Sequence, residues 1–143
     1  MGKRKVLFIC GRNRGRSQIA EAYLNRFGGI RFEVSSAGME PAERVHPLVI
    51  EVMKEEGIDL TDKRPQSAFE LFKSGQLYND VITLCPQTES RCPVYPGITR
   101  RQHWPFPDPD GVSGSREEQL EKVRNIRDAI KDKLIAEFSL NIH

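Results

Sequence analysis

One stretch near the N-terminus decides the fold, and it reads Val6-Leu7-Phe8-Ile9-Cys10-Gly11-Arg12-Asn13-Arg14-Gly15-Arg16-Ser17. Its apolar first part is typical of a buried strand. The strand ends at Cys10, and a polar loop with two glycines leads into a helical pattern that starts at Ser17. A strand, a tight loop and a helix in this order direct backbone N–H groups and the positive end of the helix dipole at one point. The stretch therefore predicts an anion-binding loop with a thiol at its start.

The side chains of this loop suit a nucleophile beside a bound oxyanion. A helix N-terminus and a nearby guanidinium favour the reactive thiolate form of Cys10. Arg16 can hold two oxygens of a tetrahedral oxyanion at once, and Ser17 can donate its hydroxyl to the sulfur. We predict Cys10, Arg16 and Ser17 as catalytic residues. The predicted oxyanion-binding residues are Gly11, Arg12, Asn13, Arg14, Gly15 and Arg16. The structural alternative is a buried cysteine followed by an ordinary basic loop.

Length and composition limit the class of protein. A chain of 143 residues suits one domain, which we expect to span residues 1–143. The net charge of +2 argues neither for nor against nucleic acid, and we expect no nucleic-acid partner. The longest early apolar run, residues 6–9, is too short for a membrane span or a signal peptide. Three cysteines, an odd count, indicate reactive thiols in a reducing compartment. These features predict a cytoplasmic protein. As a separate expectation, we take it to be a monomer.

Strand and helix patterns alternate along the chain. The predicted strands are residues 5–10, 31–36, 81–85 and 99–104. The predicted helices are residues 17–27, 45–56, 67–74 and a last one that begins after a capping box of Ser115 and Glu118. This alternation predicts an α/β fold, a parallel sheet with helices on both faces. Ligands bind such sheets beyond the carboxyl ends of the strands, where Cys10 and Cys85 both lie.

Two further thiols follow the third predicted strand. Cys85 is placed to attack a sulfur adduct on Cys10 by thiol exchange. A disulfide needs Cα atoms within roughly 7 Å. The seven residues from Cys85 to Cys92 span about 25 Å when extended and about 10.5 Å when helical. A disulfide between them therefore requires the segment to fold back or a helix to unwind. The alternative is a small buried residue at position 85 and an incidental thiol at position 92.

A proton donor is predicted at Asp108, in the proline-rich segment 104–111. Departure of a hydroxide or an alkoxide requires such a donor. We expect the apolar neighbours Trp104 and Phe106 to desolvate the carboxyl and favour its protonated form. The alternative is a plain turn, because Asp-Pro-Asp-Gly is typical turn sequence.

These features together resemble the family of low-molecular-weight protein tyrosine phosphatases and thioredoxin-coupled arsenate reductases, over almost the whole chain. The resemblance is carried by the loop that ends in Arg16-Ser17, Ser36-Ala37-Gly38, Val81 to Cys85, the spacing of Cys85 and Cys92, and His103-Trp104 followed by Asp108-Pro109. It implies a three-layer sandwich around a four-stranded parallel sheet, and Asp108 as general acid or base. Two positions depart from the usual family loop: Arg12 replaces a glycine where the backbone curves tightly, and Gly15 replaces a second cysteine.

The reductase branch of the family is the more similar one, and it implies a relay of thiols. In this relay Cys10 attacks arsenate, Cys85 attacks Cys10 and releases arsenite, and Cys92 attacks Cys85, after which thioredoxin reduces the disulfide. The alternative is a tyrosine phosphatase that acts through a Cys10 phosphocysteine. Such phosphatases tend to carry a tyrosine after Asp-Pro, where this chain has Asp110-Gly111. A third possibility is a non-catalytic thiol trap or sensor for trivalent arsenic, which would need no Asp108.

We predict no cofactor and no metal. Some reductases of the family hold a monovalent cation near the positions of Asn13 and Ser36, with further ligands from the segment that contains Arg64 and Gln66. A guanidinium in that segment repels a cation, so we expect Arg64 to take its place.

Overall fold

The computed structural model describes residues 3–85 and 100–140. Within these residues lie four strands: β1 Arg4–Cys10, β2 Phe32–Gly38, β3 Asp80–Thr83 and β4 Arg100–His103. The four α-helices are α1 Arg16–Gly28, α2 Pro47–Lys54, α3 Ala68–Lys73 and α4 Arg116–Phe138. Short 3₁₀ turns lie at Gly29–Arg31 and Pro109–Gly111. The predicted alternation of strands and helices is confirmed.

The strands form one parallel sheet in the order β2-β1-β3-β4. Ile9 of β1 pairs with Thr83 of β3, and the Leu84 N–H donates to the Ile9 carbonyl at 3.0 Å. The carboxyl ends of β1 and β3 therefore coincide. The predicted strand 81–85 included Cys85. In the structure β3 ends at Thr83, and Cys85 lies two residues beyond it. It still follows the same edge of the sheet as Cys10.

Both faces of the sheet are covered, as predicted. Val6 and Phe8 belong to a large core with the buried residues of α1, α2 and α4, whereas Leu7 and Ile9 belong to a smaller core with Ala68 of α3. All four of these β1 side chains are fully buried. Each buried side chain of this size stabilises the fold by about 1.5–3 kcal/mol. Burial on both faces explains why β1 is an unbroken apolar run in the sequence.

The ends of the helices follow from their caps. Ser115 and Glu118 form the predicted capping box at the start of α4. α2 begins at Pro47, two residues after the predicted start, because the imidazole of His46 accepts a hydrogen bond from the Leu48 N–H. This cap places His46 beside the Cys10 loop. None of the described helices combines the length and the apolar character that a bilayer crossing needs.

Candidate active site

The loop between β1 and α1, residues 10–17, is shaped by the segment that follows β2. Three of its carbonyls accept backbone hydrogen bonds of 2.8–2.9 Å, namely Gly11 from Glu40, Arg12 from Ala42 and Arg14 from His46. The C=O and N–H of one planar peptide point in opposite directions. The N–H groups that follow these carbonyls therefore point away from residues 40–46, into the concave side of the loop. Such a set of converging N–H groups binds anions.

The tight curvature of the loop falls on Asn13, which has a φ of 53°. Asparagine tolerates this left-handed conformation better than most residues. Arg12 keeps an ordinary negative φ and its side chain is exposed. The conflict expected between a bulky Arg12 and a tight bend is therefore absent.

The Cys10 thiol is buried and has a defined partner. Its exposed fraction is 3%, and its Sγ lies 2.8 Å from the Ser17 Oγ. The Asn13 Nδ2 donates to the same Oγ at 2.8 Å. Because the Ser17 Oγ accepts the hydrogen bond from Asn13, its own hydrogen is free to be donated to the Cys10 sulfur. This is the geometry that the predicted role of Ser17 requires.

A chain of hydrogen bonds fixes the Asn13 amide from behind. Its Nδ2 also donates to the Ser36 Oγ at 2.9 Å, and that hydroxyl donates to the Glu21 Oε1 at 2.6 Å. The other Glu21 oxygen pairs with the Lys63 ammonium. The sequence carried one signal for this buried carboxylate, since Glu21 lies four residues after Ser17 and so on the same face of α1.

The positive charge in this network comes from Lys63 and not from Arg64, which is exposed. The expectation that Arg64 takes the place of a cation is therefore wrong. The preceding residue, Lys63, supplies the positive charge, because its side chain pairs with the buried carboxylate of Glu21. Within residues 3–85 and 100–140, no group of three or more His, Cys, Asp or Glu side chains is close enough to hold a metal ion.

Arg16 connects the Cys10 loop to the proline-rich segment 104–111, which we call the acid loop. Its guanidinium is 4% exposed, donates to the Phe106 carbonyl at 3.0 Å and lies 3.6 Å from the Asp108 Oδ2. The acid loop starts along the sheet edge, where the Trp104 N–H donates to the Thr83 carbonyl at 2.8 Å. The fold thus brings the predicted nucleophile, guanidinium and acid together.

The environment of Asp108 differs from the expected one. Its side chain is 44% exposed, so the expectation that Trp104 and Phe106 desolvate it is wrong. The Trp104 ring packs against Phe8 and Phe138 in the core. The Asp108 carboxylate is oriented instead by a hydrogen bond of 2.9 Å from the backbone N–H of Asp110.

A cavity of about 60 Å³ lies at the mouth of the Cys10 loop. It is lined by Cys10, Gly11, Arg12, Arg14, Gly15, Arg16, Asp108 and Asp110. Asn13 is the predicted oxyanion residue that does not line it, because it is fully buried behind the loop. The predicted nucleophile, guanidinium and acid therefore border one cavity.

Cys85 differs in state from Cys10. Cys10 is a free thiol, whereas Cys85 is fully buried and disulfide-bonded. Cys92, the predicted last thiol of the relay, lies outside the described residues. The predicted fold-back of the segment between Cys85 and Cys92 also lies outside them.

Gly38 packs directly against the backbone of the Cys10 loop, so a substitution there tests whether this contact shapes the loop. A Cβ on this residue would lie 2.8–2.9 Å from backbone atoms of Asn13, Arg12 and Gly11. We expect Gly38→Ala to displace the loop, to weaken the binding of inorganic phosphate in calorimetric titration and to cost about 1–3 kcal/mol in the free energy of unfolding. Gly111→Ala is the matched control, because nothing lies within 4 Å of its Cβ. Equal stability and phosphate affinity in both variants would contradict the role of this contact.

Comparison with known proteins places the chain among phosphatases and arsenate reductases. The sequence profile of the family "Low molecular weight phosphotyrosine protein phosphatase" matches residues 5–140. An arsenate reductase of Halalkalibacterium halodurans is 37% identical over 131 residues, which are 91% of this chain and 91% of that protein. A solved arsenate reductase in the phosphate-binding state superposes with a TM-score of 0.77 at 33% identity and covers 95% of this chain and 97% of its own. A thioredoxin-dependent arsenate reductase of Corynebacterium glutamicum gives a TM-score of 0.61 at 31% identity, over 94% of this chain and 63% of its own.

Proposed function

We propose that this chain, which belongs to the low-molecular-weight phosphotyrosine protein phosphatase family, is an arsenate reductase. One observation carries the proposal. Cys85 is disulfide-bonded at the same sheet edge where Cys10 remains a free thiol inside the anion-binding loop. A phosphatase needs only one thiol, the nucleophile, whereas a reductase needs a second thiol that can take up the oxidation. This arrangement therefore favours reduction over hydrolysis.

The first step uses the Cys10 loop as an oxyanion site. The converging N–H groups and the Arg16 guanidinium hold the oxygens of arsenate, and the Cys10 thiolate attacks the arsenic. An arsenic–sulfur bond forms and an arsenic–oxygen bond breaks. Asp108, 3.6 Å from Arg16, supplies the proton with which the departing oxygen leaves as water.

The second step moves two electrons to arsenic. The Cys85 thiolate attacks the Cys10 sulfur, so a Cys10–Cys85 disulfide forms while the electron pair of the arsenic–sulfur bond stays on arsenic, which leaves as arsenite. Cys92 then attacks Cys85 and frees Cys10 as a thiolate, which leaves a disulfide between Cys85 and Cys92. The buried position of Cys85 beside the end of β3 suits the middle role in this sequence.

The relay ends with an external dithiol, for which we propose thioredoxin in the cytoplasm. A protein with two neighbouring thiols can reduce the disulfide between Cys85 and Cys92 and is itself oxidised to a disulfide. The relative from Corynebacterium glutamicum is a thioredoxin-dependent arsenate reductase, which supports this choice of reductant.

Hydrolysis of phosphate esters is the second candidate, since the family is named for it. Cys10, Arg16 and Asp108 would suffice for that reaction. Asp110 lies in the wall of the cavity, at the position after Asp-Pro where phosphatases of this kind tend to carry a tyrosine. An acidic residue there disfavours a phosphotyrosine pocket.

The test is a coupled assay with the purified wild-type protein, thioredoxin, thioredoxin reductase and NADPH. We expect arsenate to drive sustained NADPH oxidation with one arsenite formed per NADPH, since each reduction transfers two electrons. Phosphate in place of arsenate is the control and should drive none. Hydrolysis of 4-nitrophenyl phosphate without arsenate-dependent NADPH oxidation would instead support the phosphatase.

A further inference from the structure

We propose that Asp110 is a positioning residue, whose carboxylate is held by Arg14 and His46 so that its backbone N–H orients the Asp108 carboxyl towards the oxyanion cavity. This inference rests on the proposed function, because it assigns Asp110 to the proton donor of that reaction. Three contacts define it. The Asp110 N–H donates to the Asp108 Oδ1 at 2.9 Å. The Asp110 Oδ1 lies 3.3 Å from the Arg14 Nε, an ion pair without hydrogen-bond geometry, and 3.3 Å from the His46 Nε2.

The three residues come from three separate elements, which the contacts join. Arg14 belongs to the Cys10 loop, His46 caps α2, and Asp110 lies in the 3₁₀ turn of the acid loop. The His46 N–H also donates to the Arg14 carbonyl at 2.8 Å, so the backbones of these two residues are joined. The side chain of Asp110 therefore fastens the acid loop directly to the loop that holds the nucleophile.

Neutral His46 has the right tautomer for this contact. Its Nδ1 accepts the hydrogen bond from Leu48 N–H at 3.1 Å, so its proton must sit on Nε2, which faces Asp110. Burial and the neighbouring Arg14 guanidinium lower the pKa of His46, although Asp110 and Asp108 oppose this shift. Protonation would put an N–H on Nδ1 against the Leu48 N–H and remove the cap of α2.

The packing of Pro109 closes the acid loop at the same point. Pro109 packs on Gly15, where an added Cβ would lie 3.0 Å from the Pro109 Cγ. Asp108 and Asp110 flank this proline, and both residues line the cavity. The chain has glycine at the position where the family usually has a second cysteine, so the proline can approach this closely. Asp110 then fixes the direction in which the closed loop presents Asp108.

The test compares three variants in the coupled arsenate assay. Asp108→Asn removes the proton donor and should lower kcat by about 100-fold. Asp110→Ala should lower kcat about tenfold without raising KM, because it displaces the donor while the loop N–H groups and the Arg16 guanidinium still hold the oxyanion. In the double variant, Asp110→Ala should add nothing to the effect of Asp108→Asn. An equal tenfold loss in both backgrounds would overturn the proposal.

The mobility of the acid loop can be measured without any catalytic turnover, so this test does not depend on the proposed function. Backbone order parameters from ¹⁵N relaxation should fall from about 0.85 to below about 0.6 for residues 109–111 in Asp110→Ala. His46→Asn should do the same, since asparagine can still cap α2 but its side chain is too short to reach Asp110. Asp132→Ala, which changes an exposed acid of α4, is the control and should change nothing. Unchanged order parameters in both site variants would overturn the inference, whether or not the protein reduces arsenate.

Discussion

Replacing Cys85 by serine is expected to hold arsenate reduction at one equivalent of arsenite or less per enzyme, while any aryl-phosphate hydrolysis continues. Serine cannot attack the sulfur of Cys10 and form a disulfide, so the arsenic–sulfur adduct has no internal route to arsenite. The Cys10 loop, Arg16 and Asp108 are unchanged in this variant, and hydrolysis requires only those groups. Quantifying arsenite and 4-nitrophenol with one enzyme preparation measures both activities.

The buried position of Cys85 calls for a second variant. Its side chain is fully buried, so a serine hydroxyl there can lower the stability of the fold. Cys85→Ala avoids the added hydroxyl and should give the same loss of arsenate turnover. Thermal unfolding of both variants shows whether the fold persists. Multiple turnovers of arsenate in either folded variant would rule out the relay, and the phosphatase or another reductant path would have to take its place.

The fold was predictable because its signals are local. The run from Val6 to Ile9 is buried on both sides of the sheet, and two-sided burial is what an unbroken apolar run indicates. The Ser115 capping box fixes the start of α4 through contacts within one turn. Element ends were less predictable where a distant contact decides them. α2 starts at Pro47 because the His46 imidazole caps it, a role that sequence patterns do not assign to histidine.

The site was predictable only in part, for a related reason. The catalytic roles of a thiol, a guanidinium and a carboxyl can be predicted from their residue types. The parallel sheet brings the three residues that carry them, Cys10, Arg16 and Asp108, to one edge. The groups that orient them are joined by contacts between remote segments. Asp110 meets His46 across 64 positions of the chain, and Lys63 meets Glu21 across 42. No spacing rule connects such pairs, and the exposure of Asp108 likewise depends on how Trp104 turns into the core.

The variant Cys10→Ser is expected to lose both arsenate reduction and phosphate-ester hydrolysis, by about 10³-fold or more. A serine hydroxyl stays protonated where a thiolate would form, and the Ser17 hydroxyl beside it can donate a hydrogen bond but cannot remove a proton. The oxyanion site is untouched, since the N–H groups of the loop and the Arg16 guanidinium remain. Calorimetry should therefore show inorganic phosphate binding about as tightly as in the wild type, because the groups that hold the oxyanion are retained.

These two readouts distinguish a lost nucleophile from a damaged loop. If serine had distorted the loop, phosphate affinity and activity would fall together, as we expect for Gly38→Ala. Serine can keep the contact that Cys10 Sγ makes with the Ser17 Oγ at 2.8 Å, so the unfolding temperature should change by only a few degrees. Arsenate reduction that survived in a folded Cys10→Ser enzyme would mean that another thiol attacks arsenic. The free, buried sulfur at the end of β1 would then only help to shape the anion site.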